Sequence, residues 1–353
     1  MAACPICHRR LDLEGVSESL DRCDYCGGLL THVDDFYEMF RDISGQFEIN
    51  SFLIGVRVEP EKFELDNKII AEKGLNIRDF KKEFECALGS RIEDRLGLKA
   101  DFKFPDAVFT VDQRNMSCDL WIRPVYIVGR YIKKARGIPQ SPWISPARGR
   151  EGKSISEYIG EAATSKLSGR NYNFYASGRE DVDALMLGSG RPFYVEVTYP
   201  RRRSFDGAQL SEAVRESSGG KVEIFDLRIA SVKEVDELKK MRFNKIYEVR
   251  LTIDRKVDGY LLQRLSSYSG SLISQRTPSR VLPIRSDIIR KRKIYSVKVS
   301  DWSDNQVTLR IEAEAGTYIK EFITGDSGRT EPSISDDLKV NVKIDYLNVL
   351  QVK

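Results

Sequence analysis

The sequence predicts a mixed α+β chain carrying a small metal-binding module at its N-terminal end. Three observations predict it: two Cys-x-x-Cys pairs close to the start, one long amphipathic helix signature, and alternating apolar segments interleaved with helical ones beyond residue 150. At 353 residues, 41% of them hydrophobic and 31% charged, the chain has material for two or three domains at ~100–200 residues each.

The cysteines come first. Cys4-Pro-Ile-Cys7 and Cys23-Asp-Tyr-Cys26 each form a turn that lets two thiolates reach one ion, and together they complete a tetrahedral Zn²⁺ shell. A module this short has little core, so the metal supplies folding energy. Four sulfurs close the shell to water and substrate, which makes the expected role structural. His8 follows Cys7 but is unnecessary once the fourth cysteine is counted. Cys86 and Cys118 have no such spacing and read as buried free thiols of a reducing cytoplasm. Residues 1–42 are therefore expected to be a zinc-binding knob, with Ile43–Asn50 as a linker.

An accessory α+β domain is expected over 43–149. Strands are predicted at Phe52–Val58, Val108–Val111 and Val125–Val128. Between them Ile77, Phe80, Phe84, Leu88, Ile92 and Leu96 recur at helical spacing, with Gly97 closing the helix. Pro139, Pro142 and Pro146 mark the boundary to a third domain over 150–353. There Ser154-Ile-Ser-Glu157 fits a capping box opening a helix to about Leu167. Further helices are predicted at 207–217, 232–241 and 257–268. Alternation predicts strands at 222–229, 247–253, 294–299, 307–311 and 344–352.

Charge is unevenly spread. The net charge is +4, yet Arg123–Arg150 holds seven basic residues and no acidic one, and Arg276–Lys293 holds seven against Asp287 alone. Tyr126, Tyr131, Trp143 and Tyr295 interleave these windows. That pattern fits a phosphate-binding surface, so the expected partner is nucleic acid. No stretch approaches the ~20 apolar residues that span a bilayer, and the N-terminal segment lacks the pattern of a signal peptide. A cytoplasmic, monomeric protein is expected.

The chemistry is narrowed by what is scarce. His8 and His32 are the whole histidine supply, which argues against a histidine-dependent hydrolase or catalytic metal site. No Walker loop occurs; Gly188-Ser-Gly190 reads as a glycine turn, and Ser217-Ser-Gly-Gly220 lacks the acid of a nucleotide loop. The densest polar cluster is Ser177–Phe193, with Arg179, Glu180, Asp181, Asp183 and Arg191 between an aromatic run and a strand. On residues alone, this segment reads first as a surface salt-bridge loop and only second as a catalytic one. If it is extended, Asp181 and Asp183 face the same side, and spacing does not choose between them.

The Gly178-Arg-Glu-Asp181 segment resembles the catalytic motif of the archaeal and eukaryotic tRNA pseudouridine synthases that modify the T-loop. Further matches fall in the family's order along the chain: Gly129-Arg-Tyr-x-Lys-x-x-Arg-x-x-Pro-Gln-x-Pro-Trp143 before it, and Lys245-Ile-Tyr247, Gln275-Arg-Thr-Pro-x-Arg-Val-Leu282, Gly316-Thr-Tyr-Ile-Lys-Glu-Phe322 and Gly325-Asp-x-Gly-Arg-Thr330 after it. The double Cys-x-x-Cys and a THUMP-like α+β accessory domain also belong to this family. The resemblance implies a pseudouridine synthase-type mixed-sheet catalytic domain, an isomerase, with tRNA as partner and no metal or nucleotide in catalysis.

It further implies that Asp181 is the catalytic aspartate, ionised to act as nucleophile or base. Lys320 occupies the place of the cation that keeps it so, with Arg179 as a second candidate. Tyr247 matches the tyrosine that stacks on the target base, Tyr318 a second pocket aromatic and Leu338 an apolar wall. Arg130, Lys133, Lys134, Arg201, Arg202, Arg203, Arg276 and Arg280 are expected to grip phosphates. The acidic Glu248 after Tyr247 departs from the family pattern, and 200–245 is its variable part, so whether one or both T-loop uridines (positions 54 and 55) are modified stays open. Two other readings stand beside this one. The first is a non-catalytic zinc-containing RNA-binding protein; the second is a THUMP-bearing methyltransferase or thiolase, which needs a glycine-rich cofactor loop that is not found.

Overall fold

The structure, a computed structural model, describes residues 1–19, 23–142, 144–145, 149–150 and 152–353. Trp143, Pro146 and Arg148 of the sequence motifs lie outside the described residues. The chain divides into two compact units: Met1–Val125 with Leu167–Asn171 and Val197–Ser204, and Tyr126–Lys166 with Tyr172–Glu196 and Phe205–Lys353.

In the first unit, the helix Pro5–Arg10 is capped by the Cys4 sulfur, with Pro5 in the first turn where its missing N–H costs nothing. The predicted long helix forms over Phe80–Leu96. Asp79 caps it by accepting from Lys82 N, and Gly97 ends it at φ +68°. Phe80, Phe84, Leu88 and Ile92 are fully buried along one face. They pack with the helix Val33–Ser44, where the Phe36 ring meets Phe84 edge-on at 5.5 Å. A four-stranded sheet lies in the order Lys99–Ala100, Ser51–Arg57, Ala107–Asp112, Ser117–Ile122. The four zinc-motif cysteines share one hydrophobic cluster with Phe36, Phe40, Phe84 and Phe109. The expected knob at 1–42 and the accessory domain thus share a single core, and the helix running to Ser44 occupies the start of the expected linker. A further helix, Pro60–Glu72, escaped the sequence reading because its face is weakly apolar.

The second unit is built on a ten-stranded sheet. Its order is Val222–Ala230, Val125–Lys133, Leu185–Thr198, Val342–Val352, Lys245–Ile253, Gln306–Ala313, Ile289–Ser303, Leu272–Arg276, Thr330–Glu331, with Asn171–Ala176 beside Leu185–Thr198. The strand Val125–Lys133, expected in the accessory domain, pairs antiparallel with Val222–Ala230 and belongs to this sheet. The unit boundary therefore falls at 125/126, not 149/150. Capping explains its helices: Ser154 and Glu157 form the predicted box for Ile155–Lys166, and Ser231 and Glu234 form another for Val232–Lys240.

Gly188 and Gly190 are not a turn. Both lie inside the long strand Leu185–Thr198 at positive φ, and a Cβ on Gly188 would stand 2.1 Å from the Leu350 carbonyl oxygen of the neighbouring strand. Only glycine fits there.

Candidate active site

Asp181 sits in the loop between the strands Asn171–Ala176 and Leu185–Thr198. The loop's fold follows from alternate residues facing opposite ways. Gly178 turns at φ +83°, where an added Cβ would be 3.0 Å from Arg191 Nη1. Glu180 then points inward to Arg191, Nε to Oε2 2.7 Å, with both side chains 1% exposed. Tyr131 Oη donates to Glu180 at 2.9 Å. Gln140 Nε2 donates to Tyr131 Oη at 2.8 Å and to the Gly178 carbonyl at 2.9 Å. Arg191 Nη1 donates to the Ser177 carbonyl at 2.8 Å. Burial opposes the charge on Arg191, but Glu180 outweighs it and holds the guanidinium above its ordinary value.

With Glu180 drawn inward, Asp181 faces out into a cavity of about 360 Å³, within the ~300–1,000 Å³ of small-molecule sites. Its Oδ1 accepts from Arg280 Nη1 at 3.0 Å, and Lys320 Nζ lies 3.1 Å from Oδ2. Lys320 also donates to both Asp183 oxygens at 2.9 Å. Burial opposes the Lys320 charge, yet the two carboxylates prevail and raise its pKa. Burial acts against Asp183 ionisation as well, and Lys320 overrides it, lowering that pKa.

Tyr247 reaches the cavity from the strand Lys245–Ile253, and burial first of all pushes its hydroxyl up to about 12. Tyr318, at the start of the helix Ile319–Thr324, lines the wall, and Arg285 Nη1 donates to its Oη at 3.0 Å. The arrangement presents an aromatic face and one cation-bound carboxylate in a half-enclosed cavity. It suits a planar base attached to a sugar.

Residues 126–353 match the model described as "Pus10, C-terminal", and residues 36–112 the one described as "Pus10 THUMP domain, archaeal". The chain belongs to the Pus10 family.

The tRNA pseudouridine synthase Pus10 of Thermoplasma acidophilum is 36% identical over 333 residues, 94% of this chain and 84% of that protein. The protein of the same name from Archaeoglobus fulgidus is 33% identical over 360 residues, covering 98% and 99%. Among solved structures, a chain of the "Cbf5-Nop10-Gar1 Complex" overlaps loosely: TM-score 0.34 at 16% identity, over 63% of this chain and 58% of that one.

In this Pus10-family chain the sequence-derived site residues fall into two groups. Asp181, Tyr247, Tyr318, Lys320 and Arg179 all line one cavity. Leu338 does not: it is buried in the core with Leu261, Ile334 and Phe322 and is not among the residues that line the cavity.

Several cations assigned to phosphates are committed within the fold. Lys133 is 1% exposed, and its Nζ donates to the carbonyls of Ile138, Asp181 and Val182 at 3.0, 3.1 and 3.3 Å. Arg130 donates to the carbonyls of Gly190 and Val352. Arg203 pairs with Asp106 at 3.3 Å and donates to the Arg123 carbonyl at 3.0 Å. Arg280 holds Asp181 and Glu321. Arg201 and Arg202 are exposed, as are Lys134 and Arg276, which pair with Glu223 and Asp287. Lys133 is the last residue of the strand Val125–Lys133, on its buried side, whereas Lys134 follows the strand's end and is exposed.

Sequence reasoning missed the buried Glu180–Arg191–Tyr131–Gln140 network. The signal was present, because Tyr131 and Gln140 stand in the first motif, but spacing alone does not show which polar residues fold inward.

The Sγ atoms of Cys4, Cys7, Cys23 and Cys26 lie within 4.8 Å of one another, all buried. The Cys4 and Cys26 sulfurs are 3.7 Å apart, against about 3.8 Å for two thiolates on a tetrahedral Zn²⁺ with ~2.3 Å bonds. Cys7 N donates to Cys4 Sγ and Cys26 N to Cys23 Sγ, each at 3.4 Å. The donor set fits a metal ion, and His8 is outside it.

Proposed function

We propose that this chain isomerises uridine to pseudouridine in the T-loop of tRNA, at position 54, 55 or both, with Asp181 acting on the ribose of a flipped-out nucleotide. The observation that carries this reading is the Asp181 carboxylate, bound by Arg280 and Lys320 at the mouth of a cavity that Tyr247 and Tyr318 line. Arg280 and Lys320 set two positive charges against the carboxylate and aim it into the cavity, where it is placed for attack or proton abstraction. Flipping costs a few kcal/mol, and stacking on an aromatic ring returns about 1–3 of these. Tyr247 and Tyr318 are the rings available.

The chain's own residues suffice for this chemistry, which moves a glycosidic bond without oxidation. The four cysteines are read as holding a structural Zn²⁺, supported by their closed sulfur-only shell. The chain is read as a monomer of a reducing cytoplasm; free Cys86 and Cys118 support the compartment, and both are half-buried rather than buried as expected.

Tritium release from tRNA transcripts labelled at C5 of uracil tests the reading, with uridine 54 or 55 replaced in turn. Release that depends on one or both uridines is expected. Tight tRNA binding without release would instead favour a non-catalytic RNA-binding protein.

A further inference from the structure

We propose that Lys245 is the base that removes the C5 proton from the reattached uracil. This rests on the reading of the cavity as a uridine site and assigns a further catalytic residue within it.

Lys245 stands two residues before Tyr247 on the same strand, so both side chains face the same side and both line the cavity. The residue is 8% exposed, and its Nζ donates to the Phe243 carbonyl at 2.7 Å. Among the described residues no carboxylate forms an ion pair with it. The strands on either side present Ala313 and Val352 at its register. From the loop above, a Cβ built on Gly178 would be 3.5 Å from Lys245 Nζ and 3.0 Å from Arg191 Nη1, so the two cations share one recess. Tyr247, Asp181, Glu180 and Arg179 are the other titratable groups of that side of the cavity. Burial, and then Arg191, lower the Lys245 pKa to about 8. The free amine thus comes within reach near neutral pH, which an exposed lysine does not allow.

The reaction needs such a group. When uracil rejoins C1′ through C5, that carbon bears both the new bond and its hydrogen. The C5–H bond then breaks, its electron pair restores C5=C6, and the C6=N1 pair returns to N1, which takes up a proton. The amine becomes an ammonium and passes its proton to N1 or to water.

Other groups of the cavity are committed. Asp181 has both oxygens on cations, Glu180 is held by Arg191 and Tyr131, Lys320 is bound by two carboxylates, and the Tyr247 hydroxyl keeps its proton near neutrality. Lys245, with one N–H on a carbonyl and no anionic partner among the described residues, has a lone pair to offer.

The test is single-turnover isomerisation by the full chain of tRNA transcripts carrying hydrogen or deuterium at uracil C5. Lys245→Met and Lys245→Arg are each expected to slow turnover about 10²–10⁴-fold, to retain tRNA affinity, and to show a primary isotope effect well above unity. Lys245→Arg keeps the charge and is the variant to use if Met disturbs folding. In the unmodified chain the isotope effect is expected to grow as pH falls below about 8. Variants within a few-fold of the parent rate, variants slowed without an isotope effect, or a pH-independent effect in the parent would each overturn the proposal. Asp181→Asn run in parallel separates the two readings, since activity surviving there overturns the Asp181 role whatever Lys245 does.

Discussion

Lys320 Nζ bridges Asp181 and Asp183, 3.1 Å from Asp181 Oδ2 and 2.9 Å from either oxygen of Asp183. The side chains are not equivalent: Asp181 is 33% exposed and shared with Arg280, whereas Asp183 is 70% exposed. The bridge thus separates a carboxylate inside the cavity from one at its rim. Asp181→Asn is expected to abolish turnover and leave tRNA binding largely intact. Asp183→Asn is expected to keep most activity, and Lys320→Met to lose about 10²–10³-fold. Tritium release beside filter binding measures all three.

The Glu180–Arg191 pair is sealed from water, so removing one partner strands a charge. Glu180→Gln is expected to destabilise the second unit by about 3–5 kcal/mol. Urea unfolding followed by tryptophan fluorescence reads the change. Little or no loss would mean that water reaches Arg191 and that the network does not hold the loop.

Burial sets the sign of the pH dependence at Lys245. Its pKa is about 8 in the folded chain, against about 10.4 unfolded. The unfolded chain therefore binds more protons between those values, and stability rises with pH across that window. The penalty for burying the charge is present in full below pH 8. Lys245→Met is expected to raise stability by about 2–3 kcal/mol at pH 6–7, with the gain fading between pH 8 and 10.4. Denaturation curves of both proteins at each pH check it; a constant difference would contradict the assignment.

A chelator that strips the four-cysteine site is expected to unfold the first unit while the sheet of the second persists. Cys26→Ala is expected to do the same without chelator. Circular dichroism melts, with a zinc-sensitive dye counting released ions, give the readout. An unchanged melt would mean the shared core folds the module without metal.

Adjacent arginines are expected to differ in kind. Arg203 is paired with Asp106, so Arg203→Ala lowers the stability of the first unit. Exposed Arg201 and Arg202 are expected instead to act through phosphates. Their replacement weakens tRNA binding across sequences and reduces the slope of log affinity against log salt by roughly 0.7–0.9 for each phosphate no longer neutralised. Titration at several salt concentrations distinguishes the effects.

Much of this was legible in the residues. Periodicity gave the helices Phe80–Leu96 and Gly207–Ser217, because a strongly apolar face or an Asp cap marks each of them. The motif order gave Asp181, Tyr247, Tyr318 and Lys320 as one cluster. Less legible was the fate of charge. Lys133 and Lys134 look alike in the sequence, yet Lys133 closes a strand and is buried against backbone carbonyls while Lys134 lies beyond the strand's end in the open. Arg280 reads in sequence as one more phosphate-binding cation because its basic window hides a specific partner ninety-nine positions away. Leu338 was misplaced because a short apolar helix reads the same whether it walls a cavity or fills a core.

The loop bearing Asp181 is held through its own backbone: Lys133, Gln140 and Arg191 all grasp carbonyl oxygens of residues 177–182. The loop is thus preorganised by contacts from within the second unit itself. A consequence for ligand discovery follows. Nucleoside mimics too small to engage any tRNA-docking surface can be screened against the isolated enzyme.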